Sequence, residues 1–456
     1  MSMEWDYILD FTLLSLFLGL GTFLKRKFVF FQKYLIPNAM IAGFIGLILG
    51  PDLLKIVNLN TDRLGEIVYH LMAIGFISLT LKDRERKKNK EIKNTGILIV
   101  STYLIQGIIG FSLSLLLSYT IFPKLFPAMG LLLPLGFGQG PGQAYSIGRQ
   151  WESLGFIHGG NVGLSIATSG FLWACLGGIP LLNFLIKKAH MTPLDSGGEK
   201  NQKIMYEPDA PGEIPLSESI DKISIQLFLI GIVYLITYLL LKGISNLLAP
   251  LGTFGQTLSQ LLWGFHFIIG SLVALLLRMI FDFCKKKNLM VRNYPNNFLL
   301  QRISGASFDY MIVASIAAIS IPVLKEYLVP ILLITTTGGF ITMFFLTYIC
   351  KKIYNGYVLE NILALYGMLT GTISTGMALL REVDPGFESQ VAENLVLGSG
   401  VGLFFGFPLM MILNIPIFGY ITNQPVMYAY TLLALIGYFM LLYFLLFAKK
   451  KHGVNQ

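Results

Sequence analysis

Long runs without a charged side chain limit most strongly what this chain can become. Phe111 to Phe122, Leu227 to Leu241 and Ile331 to Ile349 carry no Asp, Glu, Lys, Arg or His, and each lies inside a longer low-charge segment. Such stretches approach the ~20 residues that a helix needs to cross a bilayer. Composition agrees, since 54% of the residues are hydrophobic and 13% are charged, against roughly 25% charged in an ordinary soluble domain. The chain is therefore expected to be an all-α polytopic membrane protein whose first partner is the lipid bilayer. Its formal charge of +9 does not point to nucleic acid, because the basic residues fall in short clusters between apolar runs, where they orient a membrane protein. The first run begins near Tyr7 without a basic leader or a small-residue cleavage pattern, so no removable signal peptide is expected. Cys175, Cys284 and Cys350 lack metal-ligand spacing and are expected to act as small hydrophobes. No cofactor is predicted, and with no nucleophile–base pair and no G-x-x-x-x-G-K-[ST] loop, neither an enzyme nor an ATP engine is.

Apolar windows place spans at 6–24, 35–50, 64–81, 95–121, 155–186, 223–241, 256–281, 303–321, 326–350, 390–415 and 424–448. The second is short, and the fifth is long enough to bend or tilt. Two further apolar segments, 128–148 and 359–381, are interrupted by glycine, threonine or glutamine. Basic clusters follow the first span (Lys25, Arg26, Lys27, Lys33), the third (Lys82, Arg84, Arg86, Lys87, Lys88, Lys90, Lys93), the fifth (Lys187, Lys188), the seventh (Lys285, Lys286, Lys287, Arg292), the ninth (Lys351, Lys352) and the eleventh (Lys449, Lys450, Lys451). They share one side only if both interrupted segments enter and leave by the same face. That predicts two re-entrant hairpins, the first opening outside and the second to the cytoplasm, with the N-terminus outside and the C-terminus cytoplasmic.

The same count divides the chain. Residues 1–186 form a first repeat of five spans and a hairpin, 187–222 a flexible cytoplasmic linker, 223–415 a second repeat, and 416–456 an extra span and tail. Five crossings invert the second repeat relative to the first. A faint echo between "GGIPLLN" (Gly177 to Asn183) and "GFPLMMILN" (Gly406 to Asn414) agrees with duplication. Inverted repeats with broken helices at their interface are the signature of secondary transporters.

Irregular backbone at membrane depth survives only inside protein or against a watery cavity. In "GFGQGPGQA", Gly138, Gly140 and Gly142 permit tight turns and close approach, and Pro141 suits the first turn of a helix. The amides of that helix favour a carboxylate, while Gln139 and Gln143 supply neutral donors and acceptors. In "YGMLTGTISTGMALLR", Gly371 is set among the hydroxyls of Thr370, Thr372, Ser374 and Thr375. Those of Thr372, Ser374 and Thr375 above all, with backbone carbonyls, suit a hard cation such as sodium better than a transition metal. The close packing that small residues allow is the simpler alternative. Asn161 and Asn394 are candidate substrate contacts or interhelical hydrogen bonds. Arg149 and Arg381 are each a candidate carboxylate clamp or topology anchor, and Asp309 a candidate ion contact or interfacial residue. His158 and His266 are expected to pack.

The two segments "LPLGFGQGPGQAYSIGRQWE" and "LYGMLTGTISTGMALLR" resemble the glutamate:sodium symporter family of bacterial inner-membrane carriers. The resemblance extends over nearly the whole chain apart from the linker and the last span. It implies sodium-driven uptake of glutamate, a mobile transport domain in which two hairpins meet, a scaffold that includes the first spans of each half, a homodimer, and an elevator-like movement. Gln139, Gly140 and Pro141 stand where that family's "GHGT"-type loop has histidine, glycine and threonine, and Arg381 where a more neutral helix is usual. The substrate is therefore left open among glutamate, another amino acid and a small carboxylate. A passive channel or facilitator and a proton-coupled organic anion carrier are the alternatives.

Overall fold

The computed structural model describes residues 3–82, 90–187, 216–287, 294–384 and 388–447. The expected linker falls largely outside them, as do Arg84, Arg86, Lys87, Lys88, Lys188, Arg292, Lys449, Lys450 and Lys451. No strand occurs among the described residues. In order, the helices are α1 (Met3–Lys27), α2 (Val29–Lys33), α3 (Asn38–Leu49), α4 (Thr61–Leu81), α5 (Lys90–Thr120), α6 (Leu132–Pro134), α7 (Pro141–Glu152), α8 (Gly159–Leu172) and α9 (Gly178–Lys187). They continue with α10 (Leu216–Leu248), α11 (Gly252–Gly264), α12 (His266–Lys286), α13 (Asn297–Ala317), α14 (Ile321–Ile353), α15 (Val358–Thr370), α16 (Ile373–Arg381), α17 (Val391–Ile412), α18 (Ile415–Ile421) and α19 (Val426–Phe447).

Nine helices among the described residues are long and apolar enough to cross a membrane. The chain is thus an all-α, multi-pass membrane protein. Two of the eleven expected spans are not among the nine. One, α3, is only 12 residues long, and the other, α13, carries Arg302 and Asp309 within its run. The run expected at 256–281 is divided, because the chain leaves helical geometry at Phe265 (ψ 14°) between α11 and α12. The long run at 155–186 widens into a π turn at Trp173–Gly177, where α8 gives way to α9. Such an extra residue in a helical turn frees a carbonyl from its usual partner. Here the Tyr366 hydroxyl donates to the Trp173 carbonyl at 3.1 Å.

The chain divides into two compact units. The first comprises Met1–Gly65, Lys88–Ser196 and Val313–Gln456, and the second Glu66–Lys87 and Gly197–Ile312. In the second, Ile77, Leu81, Leu229, Ile230, Val233, Val273, Ala274 and Leu300 form a core contributed by α4, α10, α12 and α13. In the first, α5 packs against α14, α17 and α19. Of the apolar window of α5, 72% is buried, against 22% for α1 and 17% for α19. The central helix is therefore α5, and the terminal helices present apolar faces that only lipid or protein can cover. Cys175 and Cys350 are buried and Cys284 half-buried, all three as free thiols.

Within the first unit the start of α4 is fastened to α1 by charge. Arg63 Nε donates to Asp10 Oδ2 at 2.6 Å, its Nη2 to Oδ1 at 3.3 Å, and its Nη1 to Asp6 Oδ2 at 3.1 Å. Asp10 is 1% exposed, so its charge is tolerable only while this fork holds it. Removing one partner strands the other, whereas removing both relieves the desolvation cost. Arg63→Met, which strands the buried Asp10, is expected to cost about 2–4 kcal/mol, and Arg63→Met with Asp10→Leu to recover most of that loss. Thermal unfolding of the purified variants in detergent measures both; a double variant less stable than the single one contradicts the account.

Candidate functional site

The segment "GFGQGPGQA" breaks as its glycines allow. The chain turns through a wide coil at Leu135–Gln139, closed by the Gly140 amide donating to the Leu135 carbonyl at 2.8 Å. Gly140 then sits at φ 101°, ψ 175°. Only glycine occupies that region readily. A Cβ placed there would meet nothing within 4 Å, so the restriction is conformational and the space beside the turn is open. Pro141 starts α7, which has no side-chain cap. Proline has no amide N–H, and the donors of Gly142 and Gln143 head the helix as orphan groups of its first turn.

The second break has different chemistry. Between α15 and α16 the chain leaves helical geometry at Gly371 (φ −139°, ψ −102°) and is extended at Thr372 (φ −144°, ψ 171°). The two helices lie side by side across it, and a Cβ on Gly376 would fall 2.5 Å from the Ala364 carbonyl oxygen. A reciprocal capping box starts α16, with the Thr372 amide donating to Thr375 Oγ1 at 2.9 Å and the Thr375 amide to Thr372 Oγ1 at 3.5 Å. The Thr375 hydroxyl is 2.7 Å from the Gly367 carbonyl oxygen and 2.8 Å from that of Thr372, and the Thr370 hydroxyl donates to Tyr366. Those two hydroxyls hold the break in shape. Thr372 is half-buried and Ser374 exposed, which leaves their oxygens the more accessible pair.

Interrupting a helix strands the carbonyls that would have accepted from the next turn. Gly138, two residues before the turn at Gly140, and Leu369, two before Gly371, are such carbonyls. Both are taken up by one turn of α5. The Tyr103 hydroxyl donates to the Gly138 carbonyl at 2.9 Å, and Gln106 Nε2 to the Leu369 carbonyl at 2.9 Å and to Thr342 Oγ1 of α14 at 2.9 Å. A third contact joins the breaks, because a Cβ on Gly170 of α8 would lie 2.4 Å from the Thr370 carbonyl oxygen and 2.8 Å from the Phe137 ring. The first unit thus brings both interrupted segments to one place. Tyr103, Gln106 and Thr342 were not among the residues singled out by sequence, although "YLIQG" shows two polar side chains one turn apart in an otherwise apolar span.

Buried polar atoms without partners cluster on the same elements. Gln106 Oε1 on α5, Gln143 Oε1 on α7 and Thr168 Oγ1 on α8 are all buried and unpaired. Such atoms are rare in folded proteins and cost about 1–3 kcal/mol each unless a ligand or water answers them. Trp151 Nε1, also on α7, and Asn394 Oδ1 on α17 are likewise buried and unpaired. Among the described residues no group of three or more His, Cys, Asp or Glu is placed to hold a metal ion.

The remaining candidates divide between the first break and other positions. Gln139 is half-buried at the first turn and Gln143 is 3% exposed. Asn161 Oδ1 accepts from the Ser320 amide at 3.0 Å and so caps α14. Asn394 Nδ2 donates to Glu91 Oε2 at 2.9 Å, joining α17 to α5. Arg381 is exposed at the far end of α16, about 13 Å of helix from its break. Arg149 is spent on Glu152 at 2.6 Å and Asp62 at 3.7 Å. Asp309 is exposed and belongs to the second unit, whereas both breaks belong to the first. His158 starts α8, and His266 stacks on Tyr69 at 3.6 Å and contacts its carbonyl at 3.0 Å.

No curated protein and no solved structure matches the chain significantly. The family model described as sodium/glutamate symporter matches residues 3–383, both breaks included. Membership supports sodium-coupled symport of a glutamate-type substrate, which is a transporter's work and not an enzyme's. Paired breaks, apolar spans and family model agree, and the chain belongs to the sodium/glutamate symporter family.

Proposed function

We propose that the two breaks are the transport site, and that the protein carries glutamate or a related amino acid or small carboxylate together with sodium by alternating access. The observation that carries this is the attachment of both breaks to Tyr103 and Gln106 of one helix. The uncapped start of α7, with Gly138, Gln139, Gly140, Gly142 and Gln143, meets the substrate carboxylate through amides and amide side chains. Thr372, Ser374 and the carbonyls around Gly371 meet sodium as hard oxygen ligands. The segments 128–148 and 359–381 act as re-entrant hairpins of two inverted repeats, carried by an elevator-like movement within a homodimer.

The protein works in a bacterial cytoplasmic membrane with its N-terminus outside. Lys25, Arg26 and Lys27 end α1, Lys285 and Lys286 end α12, and Lys351 and Lys352 end α14, which supports a cytoplasmic position for those three ends.

Two experiments test the proposal. Uptake of labelled glutamate into proteoliposomes is expected to collapse when sodium is replaced by choline; uptake that persists and follows an imposed proton gradient would rule the proposal out. Gly140→Ala forces a side chain into a backbone region worth about 1–3 kcal/mol of strain, although space is free around it. It is expected to weaken glutamate binding roughly 5- to 100-fold while the protein still purifies as a folded carrier. Unchanged affinity in Gly140→Ala would remove α7 from the site.

A further inference from the structure

We infer that Tyr103 and Gln106 are positioning residues that couple the ion to the substrate, by making one turn of α5 the common support of both breaks. The inference rests on the assignment of the breaks as the transport site.

The geometry is specific. Residues three apart on a helix project from one face, and here each reaches a carbonyl at the same step of a different break, two residues before the turning glycine. The orientation of the Gln106 amide is fixed by its neighbours. A carbonyl such as that of Leu369 only accepts, so Nε2 must face it. The Thr342 hydroxyl donates to the Gly338 carbonyl at 2.7 Å, which leaves Thr342 Oγ1 to accept the second Nε2 hydrogen. Turning the amide over would set its oxygen against the Leu369 carbonyl. Both donors are therefore committed, and Oε1 remains buried without a partner.

That acceptor, without a protein partner at this depth, is open to water or to a ligand. Tyr103 is equally constrained, since its ring lies against Gly138, where a Cβ would come within 2.1 Å of it. Any shift of the Leu369 carbonyl on ion binding is felt at Gln106, and one turn away Tyr103 passes it to Gly138, beside the head of α7. Linkage makes the effect mutual, because whatever sodium does to substrate affinity the substrate does to sodium affinity.

The test is the ratio of glutamate dissociation constants at low and high sodium, measured by calorimetry on the purified full-length protein. Tyr103→Phe removes one oxygen, and Gln106→Met keeps the shape of the side chain while removing its donors. In both, the sodium-induced gain in affinity is expected to fall to about one fifth of the wild-type value or less. Ser114→Ala serves as the control. It removes another hydrogen bond from α5 to backbone, at 2.6 Å to the Pro127 carbonyl, and is expected to lower the unfolding temperature while keeping the wild-type ratio. A wild-type ratio in both Tyr103→Phe and Gln106→Met would overturn the inference alone. An absence of sodium-dependent glutamate binding in the wild-type protein would overturn the transport assignment and this inference with it.

Discussion

A peptide group in hydrocarbon must be hydrogen-bonded, and in a helix the next turn does this automatically. Breaking a helix at depth gives up that guarantee twice in this chain. The rest of the first unit follows from how the loss is made good. Two carbonyls freed by the breaks are answered by Tyr103 and Gln106, which requires α5 to lie between the broken segments and be buried along most of its length. Tyr366 answers a third freed carbonyl, at the π turn after α8. Close approach of α5, α8 and α15 is therefore a condition for the breaks to exist, and the small residues along these helices make the approach sterically feasible.

The amino-acid sequence displays much of this plan and hides its joints. Apolar runs locate the spans because a bilayer of fixed thickness imposes a length that composition alone reveals. The breaks at Gly140 and Gly371 are equally legible, since glycine and proline inside an apolar run have few other uses. Boundaries set by tertiary packing are not legible in this way. The run 256–281 reads as one span but is interrupted at Phe265, a residue with no intrinsic tendency to end a helix.

Side-chain roles are harder still to read. Asn161 and Asn394 read in sequence as either ligand contacts or interhelical hydrogen bonds; the first accepts from the Ser320 amide at the start of α14, and the second donates to Glu91 while its Oδ1 has no protein partner. Those partners lie 159 and 303 residues away, a distance over which no local pattern carries information. The reverse holds for Gln106. Its importance comes from a carbonyl 263 residues further along the chain, and in sequence it is only a glutamine among apolar neighbours.

The groups proposed to meet the ligands are neutral amides, hydroxyls and carbonyls, which favours ion and substrate travelling together. Of the arginines near the breaks, Arg149 is paired with Glu152 and Asp62, and Arg381 is exposed at the outer end of α16. Amides, hydroxyls and carbonyls cost less to leave unanswered than a buried charge does. Loading the site with a carboxylate alone, or with sodium alone, would bury one. Loading both cancels the charge inside the site, where a low dielectric makes the cancellation worth most. On the proposed assignment, electrostatics adds to the shared turn of α5 as a source of coupling, since each ligand removes the penalty that excludes the other.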